Sequence, residues 1–269
     1  MLGTEMVPRL AVDFEVEAAD VDDFDLTDAE ATERFVGEFE PRLVVNCAAY
    51  TDVDGAESDP ALAFAVNATG AGGLATAARR VGARFVHIST DYVFDGSSTR
   101  PYVEDDTPNP IGAYGRSKLE GEILVRSACP DALVVRTAWL YGHAGPNFVE
   151  KMISLAQSGA RLRVVNDQTG SPTNARDLAS AVAELVAVEA SGVVNATNTG
   201  TCTWFEFAEE ALRLAGLGDV GLTPVPTSEF QTPARRPAYS VLSLDRLTGL
   251  TGSRPRGWRE ALAEYITER

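Results

Sequence analysis

The stretch RFVHISTDYVFDG, residues 84–96, decides the fold. It opens as an apolar run and closes on hydroxyls, two carboxylates and a glycine. A run such as RFVHIS (84–89) reads as a strand buried on both faces, as strands of parallel sheets are. Outward from it, LVVNCA (43–48), LVVRTA (133–138) and GVVNATN (192–198) have the same character, and RLRVVNDQTGSPT (161–173) reads as a strand followed by a loop. FEVEAAD (14–20) also resembles a strand. Between these runs lie helical patterns: DLTDAEATERFVGEF (25–39) with Thr27 or Asp28 as its cap, DPALAFAVNATGAGGLATAARRVG (59–82), SKLEGEILVRSA (117–128) and DLASAVAELVAV (177–188). TWFEFAEEALRLAG (203–216) carries a capping box from Thr203 to Glu206. The prolines of TPVPTSEFQTPARRPAYS (223–240) mark a loop, and WREALAEYITE (258–268) a closing helix.

Strand–helix alternation of this length predicts an α/β fold with a Rossmann-like doubly wound parallel sheet, ligands gathering at the carboxyl ends of its strands. After residue 142 the rhythm loosens, which predicts a smaller, interleaved C-terminal substrate lobe. The expected division is 1–142 with 174–200 for the sheet domain, and 143–173 with 201–269 for the lobe.

Composition bounds the chemistry. The 269 residues can bury a full-sized core, and a 45% hydrophobic content belongs to a globular chain. A formal net charge of −16 argues against nucleic acid or an anionic membrane as partner. Cys47, Cys129 and Cys202 are scattered and only two histidines occur, so no metal site is expected and a reducing, cytoplasmic setting is. Neither a signal peptide nor a membrane span is expected.

One short motif carries reactivity. In AYGRSKLEGE (113–122), Tyr114 stands four residues before Lys118, and the only other lysine in the chain is Lys151. Pro108 and Pro110 delay the helix until near Ala113, so Tyr114 and Lys118 share one face. There an ammonium is expected to lower the phenol's pKa, ordinarily about 10, toward proton exchange near neutrality. Alone, the YxxxK spacing is weak and reads better as a surface pair. Its company matters: STDYVFDG (89–96) brings hydroxyls to the ligand edge, and VVNCAAYTDVD (44–54) brings small residues to the end of the preceding strand.

With these stretches on the page, the sequence resembles the extended short-chain dehydrogenase/reductases, and among them the dTDP-4-dehydrorhamnose reductases. The likeness runs through VVNCAAYTDVDGAE, VNAT, STDYVFDG, YGRSKLEGE, RTAWLYG, NFV, VVNDQTGSPT, TCTWFEFA and TPARRPAYSVL, in order. It implies a catalytic set of Thr90, Tyr114 and Lys118. In that scheme the phenol protonates a C4 alkoxide as hydride arrives, Thr90 bonds the oxygen, and Lys118 tunes the phenol and holds the nicotinamide ribose. It implies NADPH or NADH held by Gly3, Asp25, Leu26, Ala48, Ala49 and Asn67 together with Tyr114 and Lys118. A dTDP-sugar would meet Tyr92, Trp139, Asn147, Gln168, Arg235 and Arg236, the two arginines facing a pyrophosphate. Asp20 would bind a ribose hydroxyl, favouring NADH, and a homodimer is consistent with the resemblance.

Some assignments have a plainer competitor: core packing for Trp139, a helix cap for Asp25, a surface ion pair for the arginines; Asn67, a polar amide on a packed helix face, is harder to explain that way. The family opens with a strand and a GxxGxxG turn, whereas this chain opens MLGTEMVPRL, with Gly3 aligned to the third glycine. The first strand and most of that glycine-rich loop are therefore expected to be missing, the chain being N-terminally truncated with its true start upstream. Two rival functions follow from the same resemblance. One is a non-catalytic regulatory subunit like the reductase-related partner of methionine adenosyltransferase; the other is a nucleotide-sugar epimerase or dehydratase.

Overall fold

In the computed structural model, which describes residues 1–269, four parallel strands form the central sheet: β1 (Leu43–Asn46), β2 (Arg84–Thr90), β3 (Leu133–Thr137) and β4 (Gly192–Asn195). They lie in the order β1-β2-β3-β4, with Val45 beside Val86, Ile88 beside Val135, and Val135 beside Val194. Parallel neighbours require crossovers, and helices supply them. Helices α1 (Leu2–Leu10) and α2 (Ala29–Phe39) precede β1, α3 (Pro60–Arg80) joins β1 to β2, and α4 (Ala113–Ala128) joins β2 to β3. Helices α5 (Phe148–Gln157) and α6 (Ala175–Ala187) lie between β3 and β4, while α7 (Trp204–Leu214) and α8 (Trp258–Thr267) follow.

The strand period of two splits the sheet's side chains between two cores. Val86, Leu133, Val135 and Val194 meet Leu2, Met6 and Leu10 of α1 and Leu178, Val182 and Leu185 of α6. Phe85 turns the other way, to Val36 of α2, Leu74 and Ala78 of α3, and Val125 of α4. Each fully buried Val, Leu or Phe contributes about 1.5–3 kcal/mol, so the two faces together fix the layer order. Helix α3 is long and apolar enough to cross a membrane, but its apolar face is spent on this packing.

A third cluster builds the lobe. Tyr141, Val149, Ile153, Leu162, Phe207, Trp258, Leu262 and Tyr265 draw α5, α7 and α8 together. The capping box of α7 forms as its sequence predicts, Thr203 and Glu206 satisfying one another's backbone N–H groups. The short helix Asp245–Thr251 crosses the expected boundary: its Leu247 packs in the first sheet core, although 201–269 were expected in the lobe.

Two local expectations fail. Residues 14–20 form no strand; the segment has no ladder partner, and only Val16 tucks against the core. Conversely, the proline-rich run is not loop from its start, because Leu222–Val225 pairs in parallel with Leu162–Val165. A two-stranded ladder is all edge, and an edge tolerates Pro224, whose missing N–H costs nothing where no neighbour waits.

Candidate active site

Parallel sheets open a crevice outside the carboxyl ends of their strands, and here that cleft falls where β1 and β2 meet the amino end of α4. Gly112 caps α4 without a side chain, so Glu57 does the capping from outside: its Oε1 accepts from the Ala113 N–H at 2.7 Å. That bond seats the turn carrying Tyr114. Gly115 lets this turn press on β2's exit, since a Cβ there would collide with the Tyr92 carbonyl.

Thr90 ends β2. Its hydroxyl donates to Asp91 Oδ1 at 3.0 Å and accepts from the Tyr92 N–H at 3.2 Å. Burial pushes the Asp91 carboxyl up to about 6, and its Oδ2 has no partner. Tyr114 is half-buried, with Tyr92 edge-on at 5.7 Å. Burial pushes its phenol up to about 12, opposed by a hydrogen bond with Thr90 and reinforced by the Asp91 charge. The expected lowering by Lys118 does not occur. That ammonium is buried and donates to the Ile88 carbonyl at 2.6 Å, and burial depresses it to about 8. The phenol therefore keeps its proton at neutral pH, the state an acid requires.

The other predicted residues divide into those facing the cleft and those absorbed by the fold. Ala48 and Ala49 follow β1, Ala48 exposed and its N–H held by Asn46 Oδ1 at 3.0 Å. Gly3 lies in the first turn of α1. A Cβ at Gly3 would meet nothing within 4 Å. Leu26 packs over Gly70. Asp25 accepts from Thr27 through both its N–H and hydroxyl in an exposed turn, while Asp28 caps α2. Asp20 likewise closes an exposed turn with Asp23.

Asn67 is buried and saturated: its Oδ1 accepts from the Tyr50 N–H at 2.8 Å, and its Nδ2 donates to the Tyr50 carbonyl and Ser117 Oγ, both at 3.0 Å. It sits in a π-turn of α3 (Ala65–Gly70), pressed against α4 where a Cβ at Gly121 would strike its carbonyl. It thus shapes the cleft through the 48–50 loop.

On the lobe side, Trp139 is held at φ 47°, a left-handed conformation rare for a bulky side chain. Its ring stacks on Trp204 at 3.6 Å and 10°, with Gly170 leaving room beneath. Trp204, in the TCTWFEFA stretch, is the stacking partner that the motif alone does not mark. Asn147 departs from its expected sugar role: it caps α5 by accepting from the Glu150 N–H, and its Nδ2 donates to the Gly142 carbonyl at 2.9 Å and Tyr265 at 3.2 Å. An Asn before a helix satisfies orphan N–H groups, which explains the residue without a ligand. Gln168 is buried and donates to Thr227 Oγ1 at 2.9 Å. Arg236 does not stand free for a phosphate, since it grips Asp54 through two bonds of 2.9 and 2.8 Å; Arg235 is exposed and makes no ion pair.

No three His, Cys, Asp or Glu side chains gather as a metal site. A separate cavity of about 600 Å³, bordered by Thr107, Ile123, Arg126 and Arg246, holds none of the predicted residues.

Comparison with known proteins identifies the family. The family model described as RmlD substrate binding domain matches residues 1–269. A dTDP-4-dehydrorhamnose reductase of Streptomyces griseus is 45% identical over 271 residues, covering 98% of this chain and 89% of that protein. A crystal structure of a dTDP-4-dehydrorhamnose reductase from Clostridium acetobutylicum superposes with a TM-score of 0.95 at 45% identity, covering 99% and 95% of the two chains. The Bacillus anthracis reductase, solved in complex with NADP, gives a TM-score of 0.95 at 38% identity, covering 100% and 95%.

Proposed function

The chain belongs to the RmlD substrate binding domain family, and from that premise we propose that it reduces the C4 ketone of dTDP-4-dehydro-L-rhamnose to dTDP-L-rhamnose, using NADPH or NADH. The observation carrying this reading is that Thr90 and the Tyr114–Lys118 face of α4 gather at the carboxyl edge of a parallel sheet.

A nicotinamide dinucleotide fits the residues on the other side of that edge. Ala48 and Ala49 offer backbone and methyl groups to a flat ring, Gly3 offers an unobstructed helical turn to a phosphate, and Leu26 offers an apolar patch to a base. When bound, that group supplies the hydride. The chain's own residues handle the proton. Tyr114 holds it on a phenol too weakly acidic to lose it to water at pH 7, and gives it to the sugar oxygen as charge develops there. The Thr90 hydroxyl sits beside the phenol as its hydrogen-bond partner, and the Lys118 ammonium, one turn along the same face of α4, would meet the nicotinamide ribose. Trp139 and Trp204 form the apolar wall against which a deoxysugar face would lie. We assign residues 1–142 and 174–200, with helix Asp245–Thr251, to the dinucleotide half and the remainder to the sugar half.

Incubating the chain with dTDP-4-dehydro-L-rhamnose and NADPH or NADH should consume one reduced dinucleotide per sugar and yield dTDP-L-rhamnose by proton NMR. Binding of the ketosugar without dinucleotide oxidation would instead favour the non-catalytic reading.

A further inference from the structure

Glu122 occupies a place that the reaction scheme leaves unused. Tyr114, Lys118 and Glu122 recur every four residues, so they line one face of α4. Glu122 is 3% exposed, and its carboxylate is fully engaged. Oε1 accepts from Ser89 Oγ at 2.6 Å and Arg136 Nε at 2.9 Å, and Oε2 accepts from Arg136 Nη2 at 2.6 Å. Ser89 immediately precedes Thr90 on β2, and Arg136 lies three residues before Trp139 on β3. One carboxylate thus joins the three elements whose ends carry Thr90, Tyr114 with Lys118, and Trp139.

We propose that Glu122 is a positioning residue of the active site, its carboxylate locking β2 and β3 against α4 and standing as the counter-ion of the Lys118 ammonium. This rests on the reductase reading. Lys118 makes no salt bridge and has only the Ile88 carbonyl as partner. A buried ammonium so placed would shed its proton without a nearby negative charge. Of the groups around it, Glu122 opposes burial most, followed by Cys47 at the end of β1. His87 on β2 is kept neutral by its own burial, and Tyr114 one turn earlier is an uncharged phenol. Arg136 lies behind the carboxylate, so removing Glu122 alone would strand a second cation in the same interior.

The chain has two lysines, so ¹⁵N-lysine labelling gives two ammonium signals, assigned with Lys151→Arg. Glu122→Gln removes the counter-ion, and Glu122→Met with Arg136→Met removes the pair while keeping its volume, in case the single variant fails to fold. With Glu122→Gln the Lys118 midpoint should fall from about 8 by roughly one unit, equivalent to tenfold in protonation, and with the pair removed it should fall by less. The alkaline limb of kcat should move with it, with sugar KM changed less than about twofold. An unmoved midpoint or an unmoved alkaline limb would overturn the proposal. Because the NMR midpoint is read without turnover, a parent chain lacking activity would sink the reductase reading separately.

Discussion

The floor and the rim of the cleft are built differently. On the floor, Thr90 and Lys118 are buried and hydrogen-bonded to backbone or neighbour, and Tyr114 is half-buried with Tyr92 edge-on to it. On the rim, Arg236, Gln168 and Asn147 are tied to Asp54, Thr227 and Tyr265, and Arg235 is exposed. The floor uses low dielectric to hold protonation states; the rim uses polar ties between loops to hold shape. Chemistry should therefore be lost through the floor and affinity through the rim.

Lys118→Met should break this contrast most sharply. We expect kcat to fall at least a hundredfold, while folded stability near pH 7 rises by up to about 3 kcal/mol, the cost of a lysine depressed from 10.5 to about 8. The sign follows from proton binding: between about 8 and 10.5 the unfolded parent holds more protons than the folded one, so the parent gains stability as pH rises through that window. The gap to the variant should close by pH 10.5, as denaturant titrations at several pH values would reveal.

Trp139→Ala should act on the rim. Loss of the Trp204 stack removes the wall proposed for the sugar, so sugar KM should rise roughly tenfold, about 1.4 kcal/mol, with kcat within a fewfold in steady-state assays. The smallest catalytic effect belongs to Asn147→Ala. As a helix cap it should cost about 1 kcal/mol in thermal unfolding and leave kcat and KM near parental values. A large KM effect there would return Asn147 to the sugar site.

The sequence announces what periodicity and local capping encode: the four sheet strands, α3, α4, and the Thr203–Glu206 box. It misleads where tertiary context decides. FEVEAAD alternates like a strand yet has no neighbour to pair with, and Pro224 looks like a breaker yet sits on an edge. The YxxxK spacing places Tyr114 and Lys118 on one face but says nothing of depth, so burial raises the phenol and the anticipated ammonium effect does not appear. Long-range partners are equally invisible: Glu57 with Ala113, Asp54 with Arg236, and Glu122 with Ser89 and Arg136 join residues far apart in the chain. Asn147 could have been read as a cap, since it directly precedes an amphipathic run.

The most direct test of the central claim is single-turnover reduction of the ketosugar by Tyr114→Phe, alongside dinucleotide binding by fluorescence. If the buried phenol is the acid, hydride transfer should slow by roughly 10²–10⁴-fold with dinucleotide affinity and folding unchanged. Turnover at the parental rate would contradict it and pass the acid's role to another group.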